Sequence, residues 1–342
     1  MSHIISRPIN TFHASPCGRL GWAVGGAVIS LLLSSCSGIE ISSVEVTPYL
    51  NDKASAISFT FDDGMLCHYT DIAPELENRD MRGTFWIIGA NMDSDVPDYP
   101  WMTWTQVKEL ADRGHEISNH AWNHPDLTAI PLDSVRWEVA YNDSVIESVT
   151  GRKPRTFCYP YNAMNDEVIA ICEEGRVGSR TYWASHGQAF SHQTADSLTL
   201  WLHDVISHGR WGVTMTHGTT YGWDMWNEPQ VLYSFFDEVK AASDSVWVGT
   251  FEEVAAYTRE AADAVITDIH AGRGEASFTP SLRTLSADLY DQPLTFCVNG
   301  SFSANGRYQA TQDGKPLAIT AFDGYLLINA LPNGTKVTIK AN

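Results

Sequence analysis

The run Ala56-Ile57-Ser58-Phe59-Thr60-Phe61-Asp62-Asp63-Gly64 is apolar and β-prone as far as Phe61, then breaks into two carboxylates and a glycine. It reads as a buried strand, 56–61, ending in an acidic turn. Working outward, strand-like and helix-like stretches alternate. Strands are expected at 84–88, 116–119, 156–158, 177–179, 212–216 and 246–248, separated by helical segments such as 75–79, 105–113, 133–149 and 165–174. Thr250 and Glu253 form a capping box opening a last helix over 251–260. About seven βα repeats in a little over two hundred residues give an α/β fold with parallel strands, a distorted and incomplete (β/α) barrel.

The texture then changes. Beyond residue 262 short strands at 307–311, 317–320, 325–329 and 336–340 are punctuated by Asp313-Gly314, Asp323-Gly324 and Asn333-Gly334, which are hairpin-turn dipeptides. Residues 263–342 are therefore expected to form a small antiparallel β domain behind a catalytic domain at 53–262. At the other end, Arg7 and Arg19 precede an apolar run, 20–33, that is too short to span a bilayer and is followed by Ser34-Ser35-Cys36. Residues 1–35 read as an export signal and 36–52 as a linker. Leu33-Ser34-Ser35-Cys36 resembles the bacterial lipoprotein processing box, which implies lipidation at Cys36 and a lipid-anchored place in the cell envelope.

The chain has 342 residues and a formal net charge of −19. That charge excludes binding to nucleic acid or an anionic membrane surface through a basic face, leaving an N-terminal lipid as the route to a membrane. Cys67, Cys158, Cys172 and Cys297 contain no C-x-x-C pair, so a thiolate zinc site is excluded and buried free thiols are expected.

In a parallel barrel the reactive groups gather at the carboxyl ends of the strands. Four polar clusters fall there: Asp62-Asp63-Gly64, His120-Ala121-Trp122-Asn123-His124, Cys158-Tyr159-Pro160-Tyr161, and His217-Gly218. Two histidines four residues apart can face one way, and a carboxylate from another strand completes a three-ligand site for a divalent ion with open positions. An ion of that kind activates water and polarises a carbonyl, which suits amide or ester hydrolysis. One of Asp62 and Asp63 would ligate while the other takes the proton of water, and His217 could protonate the leaving group.

These residues resemble the polysaccharide deacetylases with the NodB homology domain, carbohydrate esterase family 4. Residues 59–64 are similar to the family's first motif, residues 114–125 to its second, the stretch at Tyr161 to its third, and residues 214–217 to its last. The resemblance implies that Asp62 is the general base and that Asp63, His120 and His124 hold the metal, most simply Zn2+, with Co2+ or another divalent ion as alternatives. It also implies that a backbone N–H at Tyr161 faces the oxyanion and that His217 is the general acid. The implied substrate is a carbohydrate bearing N- or O-acetyl groups.

Two departures stand out. Where many members carry an arginine that orients the base, this chain has Cys158, and Asn162 replaces a usual glycine. Arg180 is the candidate replacement, because a guanidinium can hold a carboxylate in a fixed fork. The fourth motif has no clean match, Trp183 and Asp204 being its candidates. Trp122, Tyr161, Trp223 and Trp226 are candidate sugar-contacting aromatics. Two other readings remain open on sequence: a hydrolase of a small non-sugar amide on the same fold, and a sugar-binding protein with a decayed site.

Overall fold

The computed structural model describes residues 38–341. The expected signal over 1–35 and the lipidation site Cys36 lie outside the described residues. Among the described residues no helix is long and apolar enough to cross a membrane.

The chain opens with β1 (Ile41–Val46), then β2 (Ser55–Ser58) and β3 (Thr60–Phe61), two halves of the strand anticipated at 56–61. Alternation follows: α1 (Ala73–Glu77), β4 (Thr84–Ile87), α2 (Trp104–Asp112), β5 (Glu116–Asn119), α3 (Leu132–Thr150), β6 (Thr156–Cys158), α4 (Asp166–Cys172) and β7 (Gly178–Arg180). A two-residue strand, β8 (Ala184–Ser185), precedes α5 (Ala195–Ser207), β9 (Trp211–Met215), α6 (Pro229–Ala241), β10 (Val246–Val248) and α7 (Phe251–Asp263). Local chemistry sets these boundaries. Thr103, Thr194 and Thr250 each close a capping box, and α3 ends at Gly151, whose φ of 73° satisfies a left-handed C-cap.

All seven anticipated strands are present and every pairing among β2–β10 is parallel. The strands form the orders β3-β4-β5-β6-β7 and β10-β2-β9-β8. The first strand joins the two through the split at Phe59 and a bridge from Phe61 to Thr216. No pairing links β7 to β8 among the described residues, so the ring is an incomplete barrel. Helix-facing side chains such as Ile57, Phe59, Phe61, Phe85, Leu110, Leu198 and Phe236 make the main core.

After α7 come β11 (Ala264–Ala271), β12 (Glu275–Leu282), β13 (Leu294–Gly300), β14 (Tyr308–Gln312), β15 (Lys315–Pro316), β16 (Ile319–Phe322), β17 (Tyr325–Ala330) and β18 (Val337–Ala341). They build two antiparallel sheets, β1-β13-β17-β16 and β11-β12-β18-β14-β15, around a shared apolar core. Asp313 and Gly314 both take positive φ, at 51° and 72°, in the hairpin between β14 and β15, as the dipeptide demands.

One expectation is corrected. The stretch 36–52, read as a linker, contains β1, which pairs antiparallel with β13 along Val44↔Val298 to Val46↔Phe296 and so belongs to the β sandwich. Its alternation is weak and its partner lies at the far end of the chain, so no local signal marks it. The sandwich packs on α7 and the β2/β10 edge through Ala56, Trp247, Val254 and Tyr257. The Tyr257 hydroxyl donates to the Thr47 carbonyl at 3.0 Å, fastening this contact.

Candidate active site

Asp62 and Asp63 follow β3, His120 follows β5, Tyr161 follows β6, Arg180 ends β7 and His217 follows β9. All therefore sit at the carboxyl ends of the parallel strands. Together with Tyr159, Asn162, Met215 and Trp223, five of these groups and His124 line a cavity of about 380 Å³. A larger cleft, about 640 Å³, lies between α5 and α6 but is mostly apolar and holds none of the predicted residues. Chemistry rather than size selects the smaller one.

The backbone at this mouth is bent into conformations most side chains avoid. Asp63, Ala121, His124, Tyr161 and Asn162 have φ of 87°, 61°, 56°, 57° and 53°. Such geometry costs on the order of 1–3 kcal/mol per residue and persists only when surroundings impose it. The surroundings are visible. Asn142 Nδ2 donates to the carbonyls of Ile87 and Ala121, Asn119 Oδ1 accepts from Ala121 N, and Glu138 accepts from both the backbone and side-chain nitrogens of Asn123. The long helix α3 thus clamps the His-Ala-Trp-Asn-His turn.

Asp63 Oδ1 lies 3.5 Å from His120 Nε2 and 3.8 Å from His124 Nε2. These separations are long for hydrogen bonds. They match ligand atoms arranged about a shared cation, since tetrahedral ligands at 2.0–2.2 Å stand roughly 3.4 Å apart. One ligand atom from each of Asp63, His120 and His124 falls within 4.8 Å of the others. His120 Nδ1 donates to the Cys158 carbonyl at 2.8 Å, which fixes the ring and leaves Nε2 facing the cluster. Burial, aided by the charge on His120, pushes His124 down to about 4, leaving its imidazole neutral and able to ligate. Burial alone would also lower His120, but Cys158, Asp63 and Asp62 hold its proton well above the usual range. Ion binding must therefore displace that proton and weakens as pH falls.

Asp62 points away from this cluster into a fork. Arg180 Nη1 donates to Asp62 Oδ1 at 2.6 Å and Nη2 to Oδ2 at 2.5 Å, with both side chains almost fully buried. Burial would raise the Asp62 carboxyl, yet the Arg180 charge and hydrogen bonds win and keep it below its ordinary value. Nη1 also donates to Thr60 Oγ1 at 2.8 Å. Cys158 and Arg180 are direct partners across β6 and β7. The arginine that sequence comparison expects at position 158 is thus supplied one strand over at the same height. The small thiol leaves room for it and donates weakly to Asp62 at 3.9 Å.

His217 lies on the opposite wall with its Nδ1 buried and unpartnered among the described residues. His68, not singled out in the sequence, anchors this turn: its Nε2 donates to the His217 carbonyl at 2.9 Å. Burial pushes His68 down to about 4, so it acts as a neutral donor. A lone histidine in a turn carries no sequence signal for that role.

The aromatic candidates divide. Trp223 is half-exposed, lines the cavity and meets the His217 ring edge-on at 4.9 Å. Tyr161 is exposed and its ring lies 4.6 Å from that of His124. Trp226 is corrected: it is fully buried in the main core and cannot stack on a ligand. Its backbone forms an isolated bridge to Thr219. Trp122 is partly exposed beside this turn, its ring packed edge-on against Tyr141 of α3 at 4.6 Å. Asp204 sits on α5, paired with His208 and Arg210, away from the site. Trp183 lies under the Arg180 guanidinium, 5.9 Å from it. Cys67, Cys158 and Cys172 are buried free thiols, as expected.

Three candidate ligand groups beside an arginine-held carboxylate, at the mouth of a parallel barrel, could hold a divalent ion next to a base. Residues 50–176 match the family model described as polysaccharide deacetylase. Among curated relatives, the peptidoglycan-N-acetylmuramic acid deacetylase PdaA of Bacillus subtilis is 29% identical over 39% of this chain and 48% of its own length. Chitin deacetylase 2 of Cryptococcus neoformans is 32% identical over 46% of this chain and 34% of its own. The chain thus spans half or less of these relatives. A solved family 4 acetyl xylan esterase from Clostridium thermocellum, in complex with a cobalt ion, aligns over 58% of this chain and 90% of that one at 20% identity, with a TM-score of 0.45.

Proposed function

We propose that this chain is a metal-dependent deacetylase acting on an N- or O-acetylated carbohydrate. The observation that carries the proposal is the pairing of two neighbouring aspartates with opposite environments, Asp63 facing two histidines and Asp62 locked to Arg180. Asp63, His120 and His124 would hold a divalent ion, which when bound supplies Lewis acidity toward water and an acyl carbonyl. Asp62, kept ionised by Arg180, takes the proton of the attacking water. The backbone N–H at Tyr161 faces the developing oxyanion. His217 delivers a proton to the departing amine or hydroxyl, so acetate and the free sugar group leave together. Trp223 forms the wall against which the sugar lies.

The test is acetate release from a panel including N-acetylglucosamine oligomers and acetylated xylan, with and without chelator. Release that stops on chelation and returns with Zn2+ or Co2+ supports the reading. Bound metal with no release from any glycan would favour a small-amide hydrolase, and neither metal nor release would favour a decayed sugar-binding protein.

The cell envelope suits such a substrate, and we infer anchoring there through a lipid on Cys36. Cys36→Ala is expected to move the protein from the membrane fraction to the soluble one; unchanged membrane association would dismiss the anchor.

A further inference from the structure

Cys158 and Asn162, the two departures from the deacetylase pattern, are joined by one arginine. The thiol leaves room for Arg180, its partner across β6 and β7, and Arg180 reaches on to Asn162. Asn162 closes the turn after β6 with its backbone N–H donated to the Tyr159 carbonyl at 3.0 Å, and its side chain lines the cavity beside Tyr161, Met215 and His217. Arg180 Nη2 stands 3.4 Å from Asn162 Oδ1. A guanidinium only donates, so the carbonyl end of the amide must be the end turned toward it. The NH2 end then faces Met215, whose Sδ lies 3.4 Å from Nδ2. Among the described residues Nδ2 has no other acceptor, and a thioether is a weak one. The nitrogen carries two hydrogens, so a donor is left over at the cavity wall beside Tyr161. Backbone geometry does not account for the side chain: φ at 162 is 53°, where glycine is the least strained residue. What asparagine adds there is an N–H braced by the same guanidinium that holds Asp62.

We propose that Asn162 is a catalytic residue, a side-chain donor to the oxyanion acting beside the backbone N–H at Tyr161. As the water oxygen bonds the acyl carbon and its proton passes to Asp62, the carbonyl π pair moves onto oxygen. Asn162 Nδ2 donates a hydrogen bond to that charge and gives up no proton. The pair returns as the bond to the departing nitrogen or oxygen breaks and His217 protonates the leaving atom. This inference rests on the deacetylase reading for its reaction. Asn162→Gly is expected to fold, since glycine accepts this φ most readily, and to keep its metal content and KM. Its kcat for acetate release should fall about a hundredfold, within the range for one oxyanion donor. Asn162→Asp keeps an oxygen for Arg180 but has no N–H, and should lose at least as much. Near-native kcat in either variant, or a loss carried by KM alone, overturns the inference. Binding of methylphosphonate, a tetrahedral stand-in for the intermediate, to the Zn2+-loaded protein reads the donor without turnover. Its Kd is expected to rise about tenfold in Asn162→Gly; an unchanged Kd, or no binding by the native protein, overturns the inference. Asn162-dependent methylphosphonate binding, with no acetate released from any glycan by the native protein, upholds the donor and overturns the deacetylase reading alone.

Discussion

Asp62→Asn is expected to lower kcat for acetate release by about a thousandfold or more while leaving the bound metal stoichiometric. General-base removal alone accounts for roughly 10²–10⁴. Asp63, His120 and His124, the candidate ligands, are untouched by the change. The substitution keeps the shape of the side chain but sets an amide nitrogen against one arm of the Arg180 fork, and it leaves a fully buried guanidinium without its counter-charge. A loss of thermal stability should accompany the loss of turnover. Metal analysis and a melting curve on the same sample separate the two effects. If a folded, metal-loaded variant retained a tenth of native turnover, the proton would have to go elsewhere, and Asp62 would lose its assigned role.

The second large effect is expected from Arg180→Ala. With the guanidinium gone, the burial of Asp62 loses the strongest influence opposing it, so its pKa climbs. The sign of the pH dependence follows. In the native protein the depressed carboxyl stays ionised at working pH and its contribution to stability, present above the ordinary carboxylate range, is lost only as pH falls through the lowered value. In the variant the acid limb of the kcat profile moves to higher pH, and turnover near neutrality drops by about a hundredfold. Breaking such a buried pair costs roughly 3–5 kcal/mol, enough to threaten a marginal fold. Arg180→Lys is therefore the companion: it keeps a charge but not the two-pronged geometry, and should fold while recovering only part of the rate. Turnover and pH profile unchanged in both variants would remove Arg180 from the mechanism.

What the sequence disclosed, and what it concealed, divides by the range of the interaction. The strand ends were legible because β-prone runs stop at polar clusters, and in a parallel barrel that stop is where chemistry collects. Arg180 was legible as a replacement because it closes a strand neighbouring Cys158, although only the register of β6 and β7 makes them partners. Trp226 was misread because an aromatic in a loop gives no clue to which way it turns, and here it lies buried in the main core. His68 carries no periodicity at all. Its contact arises from a side chain-to-backbone hydrogen bond between distant segments, which local pattern cannot report.

The pairing of β1 with β13 also governs the order in which the chain can assemble as it is made. Val46 must wait for Phe296, and at 5–20 residues per second the interval is on the order of tens of seconds. Every strand of the parallel barrel is synthesised within that interval. The barrel can therefore settle while β1 still trails unpaired, and the sandwich closes around an already folded neighbour. A nascent chain stalled or cut after α7 would carry a finished active site beside an orphan strand, with the sticky edge that such a strand presents.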